Sequence, residues 1–239
     1  MKSTATLIWV LVISAALVGG LTWLSTYEAA EPELLTNESG EVEPFAGPFA
    51  NPEEAEVNMN PMELSSEGNP VAVFTTNQGT FEIELFADQM PITVGNFTKL
   101  VEEDYYDGTK FHRIIEGFMI QGGDPNSKGP DTSTYGTGGP GYTIQDEFVE
   151  GELLTNTVGT IAMANTGQPN SGGSQFFINT ANNINLDFDK QPLTSRHPVF
   201  GRVVSGMEVV KQIEGVETGP RDVPAEPVVI ESVTLKTEA

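Results

Sequence analysis

The stretch Phe111–Asp124, FHRIIEGFMIQGGD, decides how the rest of the chain is read. Strand alternation places Phe111, Arg113 and Ile115 on one side and His112 and Ile114 on the other. Glu116-Gly117 interrupts the run, Phe118-Met119-Ile120-Gln121 resumes it, and Gly122-Gly123-Asp124 stops it. An arginine inside so apolar a run costs free energy unless a partner or a task uses its charge. A paired or snorkelling side chain at a strand end is the structural explanation. The residues that follow give Arg113 a second one.

Outward from this stretch, turns and alternation define the flanking elements. VAVFTT from Val71 and TFEIELF from Thr80 alternate around Asn77-Gln78-Gly79, which predicts a β-hairpin with Phe81, Ile83 and Leu85 on one face and Glu82 and Glu84 on the other. Pro91 opens PITVGNFTKLVEEDYY, where Val94, Phe97, Leu100 and Val101 recur at helical spacing, and proline suits a first turn. TVGTIAMAN, SQFFINT, HPVFGRVV and VVIESVTLK read as further strands, with a short helix at GMEVVKQIEG. Short strands, glycine loops and only two helices predict a mainly β domain over residues 70–239: a closed antiparallel barrel with helices capping its ends.

Residues 1–69 have a different composition. After Lys2 no charge appears until Glu28, and the apolar run between them reaches the roughly 20 residues that cross a bilayer. Residues 1–27 are therefore expected to be a transmembrane signal anchor; the alternative is a signal peptide cut near Ser14-Ala15-Ala16, with the domain secreted. With Lys2 as the only flanking positive charge, the N-terminus stays in the cytoplasm and the domain faces out across the cell membrane. Residues 28–69 carry eleven glutamates, no Lys or Arg, and five prolines, a composition expected to form an extended, disordered acidic linker.

The chain is 239 residues long with 34 acidic and 11 basic side chains, a formal net charge of −23. Phosphate recognition requires clustered cations, so nucleic acid is not an expected partner. Cysteine is absent, which removes disulfides, thiolate metal sites and cysteine nucleophiles. His112 and His197 are far apart with no acidic cluster at ligand spacing, so neither a metal nor another cofactor is expected, and His112 reads as a structural residue. Gly136–Gly141 matches GxGxxG, but Pro140 and the following Tyr-Thr-Ile-Gln do not open the helix that dinucleotide binding needs. Gly172-Gly173-Ser174-Gln175 lacks a nucleophile elbow. What remains is a groove without acid, base or metal. Apolar and amide side chains (Phe118, Met119 and Gln121; Met163, Ala164 and Asn165; Gln175, Phe176 and Phe177) flank one arginine.

FHRIIEGFMIQGGD, GTGGPGY, GTIAMAN, GGSQFFI and HPVFGRVVSGMEVV, in this order, resemble the cyclophilins, a family of peptidyl-prolyl cis-trans isomerases. The resemblance spans about Pro70 to Thr237 and implies an eight-stranded antiparallel barrel capped by two α-helices. It implies that Arg113 is the catalytic arginine. Phe118, Met119, Phe177, Leu193 and His197 correspond to a proline pocket, and Gln121, Gly136, Ala164, Asn165 and Gln175 to the floor and rim that hold a peptide backbone. The implied partners are proline-containing polypeptides, and the implied role is assisting the folding of secreted or surface proteins. A proline-motif tethering module with incidental catalysis is the alternative. Two features depart from the family pattern: the loop NTANNINLDFDKQPLTSR is long, and Gln191-Pro192 stand where relatives often carry a tryptophan before the pocket leucine. Loss of that tryptophan goes with weaker cyclosporin binding in relatives, so the resemblance implies retained isomerase activity and leaves cyclosporin as a partner open.

Overall fold

The structure is a computed structural model that describes residues 68–191 and 196–236. The N-terminal span at 1–27, the linker up to residue 67 and Leu193 lie outside the described residues. Among the described residues no helix is long and apolar enough to cross a membrane.

The expected hairpin forms as β1 (Val71–Thr76) and β2 (Gly79–Leu85), antiparallel from Val71 opposite Glu84 to Thr76 opposite Gly79. Phe81, Ile83 and Leu85 are fully buried. Glu84, on the opposite face, is buried as well, because Arg202 lies opposite it on a neighbouring strand and its Nε donates to the carboxylate at 2.9 Å.

Six more strands follow: β3 (Arg113–Ile115), β4 (Met119–Gly122), β5 (Thr160–Met163), β6 (Phe176–Asn179), β7 (Val199–Ser205) and β8 (Ile230–Lys236). They form one antiparallel sheet in the order β3-β4-β6-β5-β7-β2-β1-β8. The expected closed barrel is corrected here to a curled sheet with two edges, because β3 and β8 share no ladder. The gap between them is spanned by residues before β3 and at the start of β8: a bridge between Lys110 and Val229, and backbone bonds from Phe111 N to Val228 O (3.0 Å) and Ile230 N to Thr109 O (2.8 Å). Three-residue β3 is too short to extend this pairing.

Bridging the gap also corrects the side assigned to Phe111. The segment reaches from Val228 to β4, where His112 N donates to Gln121 O at 3.0 Å, so regular alternation begins only at Arg113. Phe111 turns inward against Phe81 and Phe176. The inward face is filled by Phe74, Phe81, Phe97, Tyr106, Phe111, Phe176 and Phe200, all fully buried, so the curled sheet encloses packed rings.

Both expected helices form. α1 (Pro91–Glu102) buries Val94, Phe97, Leu100 and Val101 and packs on β8; α2 (Met207–Glu214) packs on β2 and β4. No side chain caps α1 locally. Glu147 does so from a distant loop: its carboxylate accepts from Ile92 N (2.9 Å), Thr93 N (2.6 Å) and Thr93 Oγ1 (2.7 Å), satisfying orphan amides at the positive end of the helix.

Candidate active site

Sheet register lines up the central residues. Arg113 on β3 stands opposite Gln121 on β4, Gln121 opposite Phe177 on β6, and Phe177 opposite Ala162 on β5. In the next row Ile115 stands opposite Met119, and Met119 opposite Asn179. The rows between, which include Ile114, Ile120, Ile178 and Ile161, point into the core. Arg113, Gln121, Met119 and Phe177 therefore share the outer face. Arg113 and Phe177 lie two strand spacings apart, about 10 Å.

The walls come from connections. Phe118 is half-buried in the β3–β4 turn beside Met119. His197 packs edge-on against Phe177, ring centroids 5.3 Å apart, with its Nδ1 3.0 Å from the Met163 carbonyl. Burial pushes its imidazole below the usual histidine value and favours a neutral ring, and the contact with the Met163 carbonyl offsets part of this. A polar network behind the walls fixes both. Asn183 Nδ2 donates to Phe118 O (2.8 Å) and Asn179 Oδ1 (2.7 Å); Asn179 Nδ2 donates to Asn156 Oδ1 (3.1 Å); Asn156 Nδ2 reaches Asp187 Oδ1 (2.8 Å) and His197 O (3.1 Å). Three buried asparagines and an aspartate thus tie part of the long loop after β6 to both sides of the pocket.

The floor and rim are joined by a chain of amides. Gln121 Nε2 donates to Gln175 Oε1 (3.0 Å), Gln175 Nε2 to Gly138 O (2.8 Å), and Ala164 N to Gln175 O (2.9 Å). The loop of Gly136–Gly141 is not followed by a helix, and its role is packing: Gly136, at φ +83, donates its N–H to the buried Asp124 carboxylate. The Asn165 side-chain amide is already engaged, donating to Arg196 O (2.6 Å) 31 residues away and accepting from Gly167 N (3.0 Å) in its own turn. Gln191 is exposed, and Pro192 and Leu193 after it lie outside the described residues.

Arg113 Nε donates to Asp222 Oδ2 at 3.2 Å, and both side chains are nearly half exposed. Asp222 went unnoticed in the sequence: it is 109 residues away, and no local pattern links the two. The buried asparagine network was equally silent. The assembled face offers a fixed cation beside Met119 and Phe177, with amides along the floor. Such a face can hold a small apolar ring and the chain on either side of it, and place a donor at the ring's edge.

A family model described as cyclophilin type peptidyl-prolyl cis-trans isomerase matches residues 71–235. Peptidyl-prolyl cis-trans isomerase B of Escherichia coli (strain K12) is 44% identical over 172 residues, covering 69% of this chain and 99% of that protein. Peptidyl-prolyl cis-trans isomerase A of Mycobacterium tuberculosis (strain CDC 1551) is 40% identical over 192 residues, covering 72% and 97%. A crystal structure of a cyclophilin-type isomerase from Cryptosporidium parvum superposes with a TM-score of 0.60 at 30% identity, over 72% of this chain and all of that one. A second crystal structure of that isomerase, determined in the presence of the dipeptide Ala-Pro, gives a TM-score of 0.58 at 30% identity over 70% and 99%.

Proposed function

The chain belongs to the cyclophilin-type peptidyl-prolyl cis-trans isomerases, and on that premise we propose that Arg113 lowers the rotation barrier of X–Pro bonds seated on the outer face of β3, β4 and β6. The X–Pro amide resists rotation because the nitrogen lone pair is delocalised into the carbonyl, a barrier of about 18–20 kcal/mol. Twisting the bond localises that pair on the proline nitrogen. A guanidinium N–H aimed at this nitrogen bonds the twisted amide better than the planar one, so its interaction is greatest where the barrier is highest. Phe118, Met119, Phe177 and His197 hold the ring, and the amides of Gln121 and Gln175 hold the neighbouring chain. No proton is transferred and no covalent intermediate forms.

The observation that carries this reading is the row Arg113–Gln121–Phe177, which sets a cation beside an apolar wall without a carboxylate or nucleophile in the row. The experiment is isomerisation of an Ala-Pro peptide by the full chain and by Arg113→Ala. Loss of one preorganised donor predicts a fall in kcat of about 10²–10³-fold with the fold retained. A folded parent that binds the peptide but does not turn it over would instead make the domain a tethering module.

We further propose that residues 1–27 keep the domain outside the cytoplasm, where it serves secreted or surface polypeptides. The support is the uncharged apolar run behind Lys2. Uncatalysed isomerisation takes about 10–100 s, slow enough to limit the folding of such clients.

A further inference from the structure

The loop that carries Asp222 holds a backbone conformation that the fold has no evident need for. Arg221 and Asp222 are consecutive non-glycine residues in the left-handed region, at φ +64 and +61. Such positions are costly for side chains with a Cβ, and they persist only where surroundings over-determine them. Here they do. Thr218 pairs with Pro224, Gly219 N donates to Val223 O at 2.7 Å, and Ala225 N donates to Glu217 O at 2.8 Å, closing a tight loop. Arg221 then bolts this loop to its neighbour, its guanidinium donating to the carbonyls of Thr132 and Ser133. Lys110, donating to Ser127 O, Gly129 O and Tyr135 Oη, fixes that neighbour in turn.

What this arrangement delivers is one carboxylate oxygen at Arg113 Nε. An ion pair with both partners nearly half exposed adds little to stability, so stability does not explain the strain. Orientation does. Gln121, which faces Arg113 across the ladder, is occupied with Gln175. Among the described residues Asp222 alone holds the guanidinium. By taking the Nε–H it fixes the plane of the fork and leaves both terminal amino groups for a substrate.

We propose that Asp222 is a positioning residue for Arg113: the strained Arg221-Asp222 turn aims the guanidinium so that its terminal N–H groups meet the proline nitrogen of the twisted amide. This rests on the arginine mechanism proposed above and extends it to a residue that does not touch the substrate.

The test compares kcat and KM for an Ala-Pro peptide in the full chain carrying Asp222→Gly, Asp222→Asn, Arg113→Lys, and Arg113→Lys with Asp222→Gly. Glycine removes the acceptor while relieving the left-handed strain, so this variant keeps or raises the melting temperature. Its kcat is expected to fall about tenfold with KM nearly unchanged. Asparagine tolerates the same backbone and keeps a neutral acceptor, so Asp222→Asn is expected to recover most of the loss. Lysine has no Nε–H fork to align, so Asp222→Gly is expected to cost nothing further in the Arg113→Lys background. Parental kcat in Asp222→Gly, with Arg113→Ala inactive, overturns the role of Asp222 and leaves the arginine mechanism standing. Parental activity in Arg113→Ala overturns the arginine mechanism itself. A lowered melting temperature with unchanged kcat in both Asp222 variants marks the aspartate as structural only.

Discussion

His112 shows how much a neighbour in sequence can differ in environment. It adjoins Arg113, yet it is buried, and that burial pushes its imidazole below the usual histidine value against the opposing pull of the Asp124 carboxylate. A histidine depressed in the folded state favours the fold while neutral. In the unfolded chain it takes up a proton near pH 6.5, so its contribution is complete above about that pH and is lost as pH falls toward the folded value. His197 acts in the same direction. The fall in melting temperature between pH 7 and pH 5 is therefore expected to shrink in His112→Phe, because one of the two imidazoles is gone. An unchanged slope would mean that burial of His112 does not couple to folding. At this scale the sequence was informative where chemistry was unusual: an arginine in an apolar strand asks for a use. It was silent on Asp222, whose place follows from two consecutive left-handed residues that no composition announces.

Elements were legible wherever local pattern and turn chemistry agreed. The first hairpin, both helices and strands β5 to β8 stand where alternation and helical spacing place them. The closed barrel was not legible, because closure depends on how two edges meet, and here irregular segments meet instead of the strands. Nor was the role of the loop after β6, which the sequence marked only as long. In the structure Asn156 and Asn179 are fully buried and join that loop to β5 and β6. Removing one member takes hydrogen bonds from the others in a dry site, and a group left unsatisfied there costs about 1–3 kcal/mol. Asn156→Ala removes the side-chain donor to Asp187 Oδ1 and His197 O and the acceptor of Asn179 Nδ2, while Asp187 keeps the residue-156 backbone N–H and Thr155 Oγ1, and Asn179 keeps Thr160. It is expected to lower the free energy of unfolding, measured in urea, by about 1–3 kcal/mol. Because the network also holds the Phe118 and His197 carbonyls, KM for an X–Pro peptide is expected to rise several-fold with kcat little changed. Loss of stability with KM unaltered would confine the network to folding.

At the scale of the whole molecule, charge and length bear on the proposed placement of the domain outside the cytoplasm. The eleven glutamates of residues 28–69 supply about half of the net −23, and the domain supplies the rest. An anionic membrane surface repels both, over a screening length of about 8 Å at physiological salt. If this segment is the extended linker that its composition predicts, its root-mean-square reach is roughly 35 Å. On that expectation the proposed anchor leaves the isomerase able to reach beyond the screened surface layer and meet unfolded chains. Two measurements test this proposal. Full-length chain is expected to stay with membranes through a high-salt wash, whereas a chain lacking residues 1–27 is expected to become soluble. Protease added to intact cells is expected to cut within the glutamate-rich segment, whose composition predicts little burial, and to release an active domain, because the tight packing from β1 onward resists cleavage. Protection in intact cells, with cleavage only after lysis, would place the domain in the cytoplasm and remove the argument for secreted clients. A mature N-terminus beyond Ala16 would replace the anchor with a cleaved signal, leaving the isomerase free of the membrane while keeping it outside.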